Sequence, residues 1–251
     1  MKMTAKRDQI IVEKNPAGLA EKGAQLFEQR MVGSLKERGH FFVALSGGST
    51  PRGMHRTLAG RPFLPWDGAQ IFWGDERCVS ATDPSSNYGA AWEDFLGRVP
   101  LSAEQIHPMP GQMRPEQGAL QYEGELVGAF GLEEGEFPEF DMIFLGLGKD
   151  GHTASLFPAQ SSLMESKRMV VAVRGGDPDV SRLTLTYPVL NRAREIVFMV
   201  SGKEKAQVVK GVVEAKDERL PARRIQPGSG FVVWLLDREA ASLLSEETVS
   251  S

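Results

Sequence analysis

The chain has 251 residues, enough for one large α/β domain or two small ones, with an ordinary globular composition of 41% hydrophobic and 25% charged residues. A net charge of −4 excludes a general attraction to nucleic acid or to an anionic membrane surface, so an anionic ligand would need a local cluster of cations and backbone amides. The single cysteine, Cys78, excludes an intrachain disulfide and a cysteine-built zinc site.

The first residues, Met1 to Asp8, lack the apolar core of a secretory signal, and no apolar run approaches membrane-spanning length. The expectation is a soluble, cytoplasmic protein. Strand-like runs then alternate with helical ones. Residues 10–12 read as a strand, and 17–38 as a helix carrying Leu19, Leu26, Met31 and Leu35 among charged residues. Strand 41–45, helix 53–58, strand 69–73 and helix 87–96 follow. A Pro/Gly-rich stretch, 99–115, is the only linker-like segment, and it is short. Beyond it come helix 116–130, strands 142–145 and 169–173, an alternating run at 181–188, strand 196–200, helix 203–213, strand 231–236 and helix 238–244. Such alternation predicts an α/β fold of three layers, a mostly parallel sheet with helices on both faces, as one domain over 1–251.

Three stretches carry candidate chemistry. In Ser46-Gly47-Gly48-Ser49-Thr50-Pro51, straight after a strand, paired glycines let backbone N–H groups converge on an anion and two hydroxyls add donors. Pro51 suits the first turn of a following helix. The G-K-[ST] ending of a nucleotide-binding P-loop is missing, and a plain Gly/Ser turn is the alternative reading. In Asp75-Glu76-Arg77, also beyond a strand, the charges are either solvated or functional; Arg77 can hold a phosphate or carboxylate through paired N–H bonds. Asn87, shortly after, reads as an N-cap.

The third stretch is Gly146-Leu147-Gly148-Lys149-Asp150-Gly151-His152, at the end of a wholly apolar strand. Ligands of open parallel sheets bind beyond the carboxyl ends of strands, which makes His152 a candidate acid–base group. The glycine spacing is also that of a dinucleotide fingerprint. That reading is disfavoured, because Thr, Ser and a Phe-Pro stop follow and Glu165 precedes the next strand instead of ending it. Further on, Arg182 heads the alternating run, and Lys203 or Lys205 stands in a helix's first turn, against its dipole, where an anion would be held or the lysines simply solvated. His40, His55 and His107 read as structural or surface residues, and no H-x-x-x-H or clustered His/carboxylate spacing suggests a dedicated metal site.

Taken in order, Ser46 to Pro51, Gly74-Asp75-Glu76-Arg77, Asp83-Pro84-x-Ser86-Asn87 and Gly146-x-Gly148-x-Asp150-Gly151-His152-Thr153-Ala154-Ser155-Leu156-Phe157-Pro158 resemble the 6-phosphogluconolactonase family. Arg182 to Thr186, Asn191, Gly202-x-x-Lys205-Ala206 and Val233 to Asp237 extend the likeness; Ser80, where the family often has proline, departs from it. The resemblance implies the fold shared with glucosamine-6-phosphate deaminases and hydrolysis of 6-phospho-D-glucono-1,5-lactone in the pentose phosphate pathway. It implies His152 as general base, a phosphate pocket of Gly47, Gly48, Ser49, Thr50, Arg182 and Lys205, and Asp75, Arg77, Gly148 and Asp150 near the substrate. No cofactor or metal is expected, and no nucleic-acid or membrane partner; a loose association with glucose-6-phosphate dehydrogenase is left open. Deaminases usually continue the D-G-H element with Ile-Ala-Phe-Asn-Glu-Pro and carry Asp-Glu-Tyr, so this chain departs from them at both places. A non-catalytic sugar-phosphate sensor would need a basic DNA-binding helix, which the sequence does not offer.

Overall fold

The computed structural model describes residues 8–249. The opening segment, read above for the lack of a secretory signal, lies outside them apart from Asp8.

Nine strands form two sheets among the described residues: β1 (Gln9–Glu13), β2 (Phe41–Leu45), β3 (Ala69–Trp73), β4 (Asp75–Arg77), β5 (Met142–Leu145), β6 (Val170–Gly175), β7 (Val180–Leu185), β8 (Glu195–Val200) and β9 (Phe231–Asp237). The larger sheet is six-stranded, in the order β1-β9-β8-β5-β2-β3, and all its pairings are parallel. From β2 the chain crosses to β3 at one edge, then returns to lay β5 on the other side of β2. That reversal leaves a crevice at the carboxyl ends of β2 and β5, where parallel sheets bind ligands.

The α-helices among the described residues are α1 (Pro16–Arg38), α2 (Ser49–Ala59), α3 (Asn87–Asp94), α4 (Pro115–Phe130), α5 (Tyr187–Leu190), α6 (Ala206–Val213) and α7 (Glu246–Val249). Asn15 caps α1, accepting the Gly18 N–H at 3.0 Å, with Pro16 just inside the helix and Gly39 in the left-handed conformation after its end. Phe27 of α1 meets Phe41 and Phe144 at 5.2 and 6.3 Å between ring centroids. Phe42 points to the opposite face, as successive strand residues must, and stacks at 4.2 Å on Phe130 at the end of α4. The sheet is thus covered on both sides, which is why β5, β8 and β9 are apolar along nearly their whole length.

The second sheet, β4-β7-β6, is antiparallel. It joins the first at Gly74, whose N–H donates to the Leu45 carbonyl of the large sheet and whose own carbonyl accepts the Leu185 N–H of the small one, both at 2.9 Å. The expected helix over 238–244 is absent. Asp237 ends β9 buried, its carboxylate accepts the Ala240 N–H at 2.8 Å, and the segment runs on as turns.

Candidate active site

A cleft of about 250 Å³ opens at the carboxyl ends of β2, β3, β5 and β8, and every residue expected at the site lines it except Asp150. Its floor begins with the glycine loop. Gly48, at φ +95°, is the residue from which α2 starts, and no side chain caps the helix. The first N–H groups of α2 therefore face the cleft with the helix dipole behind them, the arrangement that holds an anion. Pro51 lies in the first turn, and the helix begins four residues earlier than its apolar pattern suggests. Gly47 is dictated by packing: a Cβ there would lie 1.7 Å from Asn87 Oδ1.

The wall opposite is the loop after β5. His152 Nδ1 and Asp150 Oδ1 are 2.6 Å apart, and the His152 backbone N–H reaches the same oxygen at 3.2 Å. Burial opposes charge on Asp150, yet the adjacent ring and N–H outweigh it and hold the carboxyl below its usual range. Asp150 thus supports the imidazole from behind and does not line the cleft. A Cβ on Gly148 would fall 2.1 Å from His152 Nδ1, so the ring lies against bare backbone. Residues beyond Gly151 form turns, Thr153 Oγ1 bonding back to the Gly146 carbonyl at 2.9 Å, and open into no helix. This is not how a dinucleotide fingerprint continues.

The small sheet supplies two arginines. Arg77 of β4 and Arg182 of β7 are direct cross-strand partners, and both face the cleft. Burial lowers the pKa of Arg182, although the Asp75 charge partly opposes this, and its Nε donates to the Gly175 carbonyl at 2.9 Å. Lys205, just ahead of α6, donates from Nζ to the Leu147 carbonyl at 2.6 Å, and its pKa too is lowered by burial. Lys203 does not reach the cleft. Two desolvated cations beside a helix N-terminus make a pocket that favours a dianion.

Asp75 is buried, one oxygen accepting from Ser155 Oγ at 2.6 Å and the other from Asn87 Nδ2 at 3.3 Å. Glu76 points away from the cleft. Its carboxylate accepts the N–H groups of Arg77, Asn87 and Tyr88, each at 2.8 Å, and fastens the start of α3, while burial raises its pKa. The N-cap of α3 is Ser86, which accepts the Gly89 N–H at 3.0 Å; Asn87 lies one residue further in, with its side chain turned to β4. Asn87, read in the sequence as an N-cap, lines the cleft, as do Ser201 and Glu204, which sequence reasoning did not place there; Ser155 stands behind Asp75. The only signal for Asn87 and Ser155 was their place inside recognisable motifs.

Residues 14–234 match the family described as glucosamine-6-phosphate isomerases/6-phosphogluconolactonase. A 6-phosphogluconolactonase of Synechocystis sp. is 43% identical over 240 residues, covering 94% of this chain and 98% of that one. Among solved structures, the 6-phosphogluconolactonase of Trypanosoma cruzi superposes with a TM-score of 0.85 at 30% identity, covering 97% and 98% of the two chains. A monomeric glucosamine-6-phosphate deaminase shares the fold, with a TM-score of 0.79 at 23% identity over 94% of this chain and 99% of that one. The chain belongs to the glucosamine-6-phosphate isomerase/6-phosphogluconolactonase family.

Proposed function

We propose that this chain, as one α/β domain, hydrolyses 6-phospho-D-glucono-1,5-lactone to 6-phosphogluconate in the pentose phosphate pathway. The observation that carries this reading is one cleft holding both a cationic, helix-capped anion cradle and a histidine backed by a carboxylate. The phosphate would sit on the N–H groups of Gly47 to Thr50 with Arg182 and Lys205 around it. Holding that remote group spends binding energy on placing the lactone carbonyl. With Nδ1–H donated to Asp150, Nε2 of His152 is free to take a proton from water as it attacks the carbonyl. Opening the ring returns the proton to the leaving ring oxygen and leaves a carboxylic acid, which ionises by releasing the other proton of the water to solvent. Asp75 and Arg77 face the lactone ring or its hydroxyls, where Arg77 can hold developing negative charge. The turn after Gly151 supports a chemistry without a nucleotide.

The lactone also hydrolyses by itself, and a short-lived intermediate gives a reason for loose association with the glucose-6-phosphate dehydrogenase that makes it in the cytoplasm. Joint sedimentation of the two enzymes tests that part; unchanged boundaries would remove it. The main test feeds dehydrogenase product to the protein and reads 6-phosphogluconate formation, less the spontaneous rate, with unphosphorylated gluconolactone and glucosamine-6-phosphate run alongside. Strong preference for the phosphorylated lactone is expected. Equal efficiency on both lactones, or deamination in place of hydrolysis, would overturn the reading.

A further inference from the structure

Asn87 has a part in this site that its position at the start of a helix hides. Capping of α3 is already done by Ser86, so the Asn87 side chain is not needed there. It is 4% exposed and joins three segments of the cleft. Its Nδ2 donates to the Asp75 carbonyl at 2.8 Å and to the Asp75 carboxylate, while its Oδ1 accepts from Arg77 Nη1 at 2.7 Å. The same oxygen lies where a Gly47 side chain would begin. An amide carries a donor and an acceptor on one branch, which is what a carboxylate and a guanidinium side by side require.

Arg77 needs holding. It stands directly across the β4–β7 pair from Arg182, and like charges so placed repel. Nη1 of Arg77 is committed to Asn87 and to the Ser85 carbonyl at 2.6 Å, whereas Nε is buried with no partner in the protein. A buried, unpaired guanidinium N–H beside an open cleft is a donor kept for a ligand oxygen.

We propose that Asn87 is a positioning residue, which pins Arg77 against Arg182 so that its free N–H edge meets an oxygen of the bound sugar phosphate. This inference rests on the reading of the cleft as a sugar-phosphate lactone site. A double-mutant cycle tests it, with kcat/KM for the phosphorylated lactone measured for wild type, Asn87→Ala, Arg77→Met and the double variant. Asn87→Ala is expected to lose roughly 10- to 100-fold, the worth of a hydrogen bond to a charged group. In the Arg77→Met background the same change should cost about threefold or less, because the group it positions is gone. Equal losses in both backgrounds, or an Arg77→Met enzyme as active as wild type, would overturn the proposal. Asn87→Leu, similar in shape but without polar atoms, replaces the alanine variant if thermal melts show that alanine unfolds. If the wild type does not turn over the lactone, the proposed reaction fails. The cycle is then read from calorimetric binding of 6-phosphogluconate to the same four proteins, where the same non-additivity is expected and additive losses or no binding would refute it.

Discussion

His55 makes stability depend on pH in a way that can be worked out. It lies inside α2, 3% exposed, with neither ring nitrogen hydrogen-bonded and Phe95 at 5.3 Å between ring centroids. Burial pushes its pKa down to about 4 from 6.5; Arg52 and Arg56 add to this, and the Asp94 charge only partly opposes it. The folded protein therefore keeps His55 neutral where the unfolded chain would protonate it. Stability is complete above about pH 6.5 and falls between there and about pH 4, below which no more is lost through this group. Linkage puts the loss at about 1 kcal/mol at pH 5.5 and about 3 kcal/mol at pH 4.5. Denaturant unfolding of wild type and His55→Leu at pH 7.5, 5.5 and 4.5 isolates the contribution, since other groups titrate in both. The gap between the two proteins should open in favour of leucine by those amounts, with no change in the denaturant slope. Parallel losses in the two proteins would show that His55 is not held neutral by the fold.

Replacing His152 by alanine should lower kcat by roughly 10²- to 10⁴-fold with little change in affinity for 6-phosphogluconate, the usual worth of a general base; near wild-type kcat in a folded variant would remove His152 from that role. Gly148→Ala should cost turnover while leaving the melting temperature near wild type, because the new methyl meets the imidazole 2.1 Å from Nδ1 and not the core. A variant with full activity would mean that the ring is not fixed against Gly148. Dialysis against a chelator should leave lactone hydrolysis unchanged, since imidazole, amides and cations suffice for the steps assigned; activity lost and restored by a divalent ion would refute this. The lowered pKa of Lys205 predicts that phosphate binding raises it, so inorganic phosphate should bind with proton uptake at alkaline pH. Calorimetry in buffers of different ionisation enthalpy reads this, and buffer-independent heats would contradict it.

The large sheet was legible because each strand buried on both faces is a continuous apolar run between glycines or charges; Phe41–Leu45, Ala69–Trp73 and Met142–Leu145 fall where the pattern puts them. The small sheet was half hidden. Asp75–Arg77 carries three charges and no apolar alternation, so its strand character comes only from pairing with β7. Helix α2 begins at Ser49 because the loop geometry sets its start, whereas the periodic apolar residues lie further along. Residues 238–244 have helical spacing, but the buried carboxylate of Asp237 captures the Ala240 N–H and turns the chain. Glycine loops and His152 were visible as motifs, through their place at the ends of apolar strands and the family resemblance they carry. The support of His152 by Asp150 is a local contact set by the conformation of the turn, and the tie from Asn87 to Arg77 joins a strand to the start of a helix; residue order shows neither.

The join at Gly74 divides the labour of the cleft. On one side of it the glycine loop and Lys205 extend from strands of the parallel sheet; on the other, Asp75, Arg77 and Arg182 belong to the antiparallel one. The join itself consists of two main-chain hydrogen bonds, which any neighbouring residue can supply. In the proposed reading, grip on the phosphate is therefore shared across the join, by the glycine loop and Lys205 on one side and Arg182 on the other, whereas contact with the sugar ring falls to β4. Replacing Asp75 and Arg77 on β4 would then change which ring is read with the anchor of Gly47 to Thr50, Arg182 and Lys205 left in place, so one scaffold could serve different phosphorylated sugars through a single short strand.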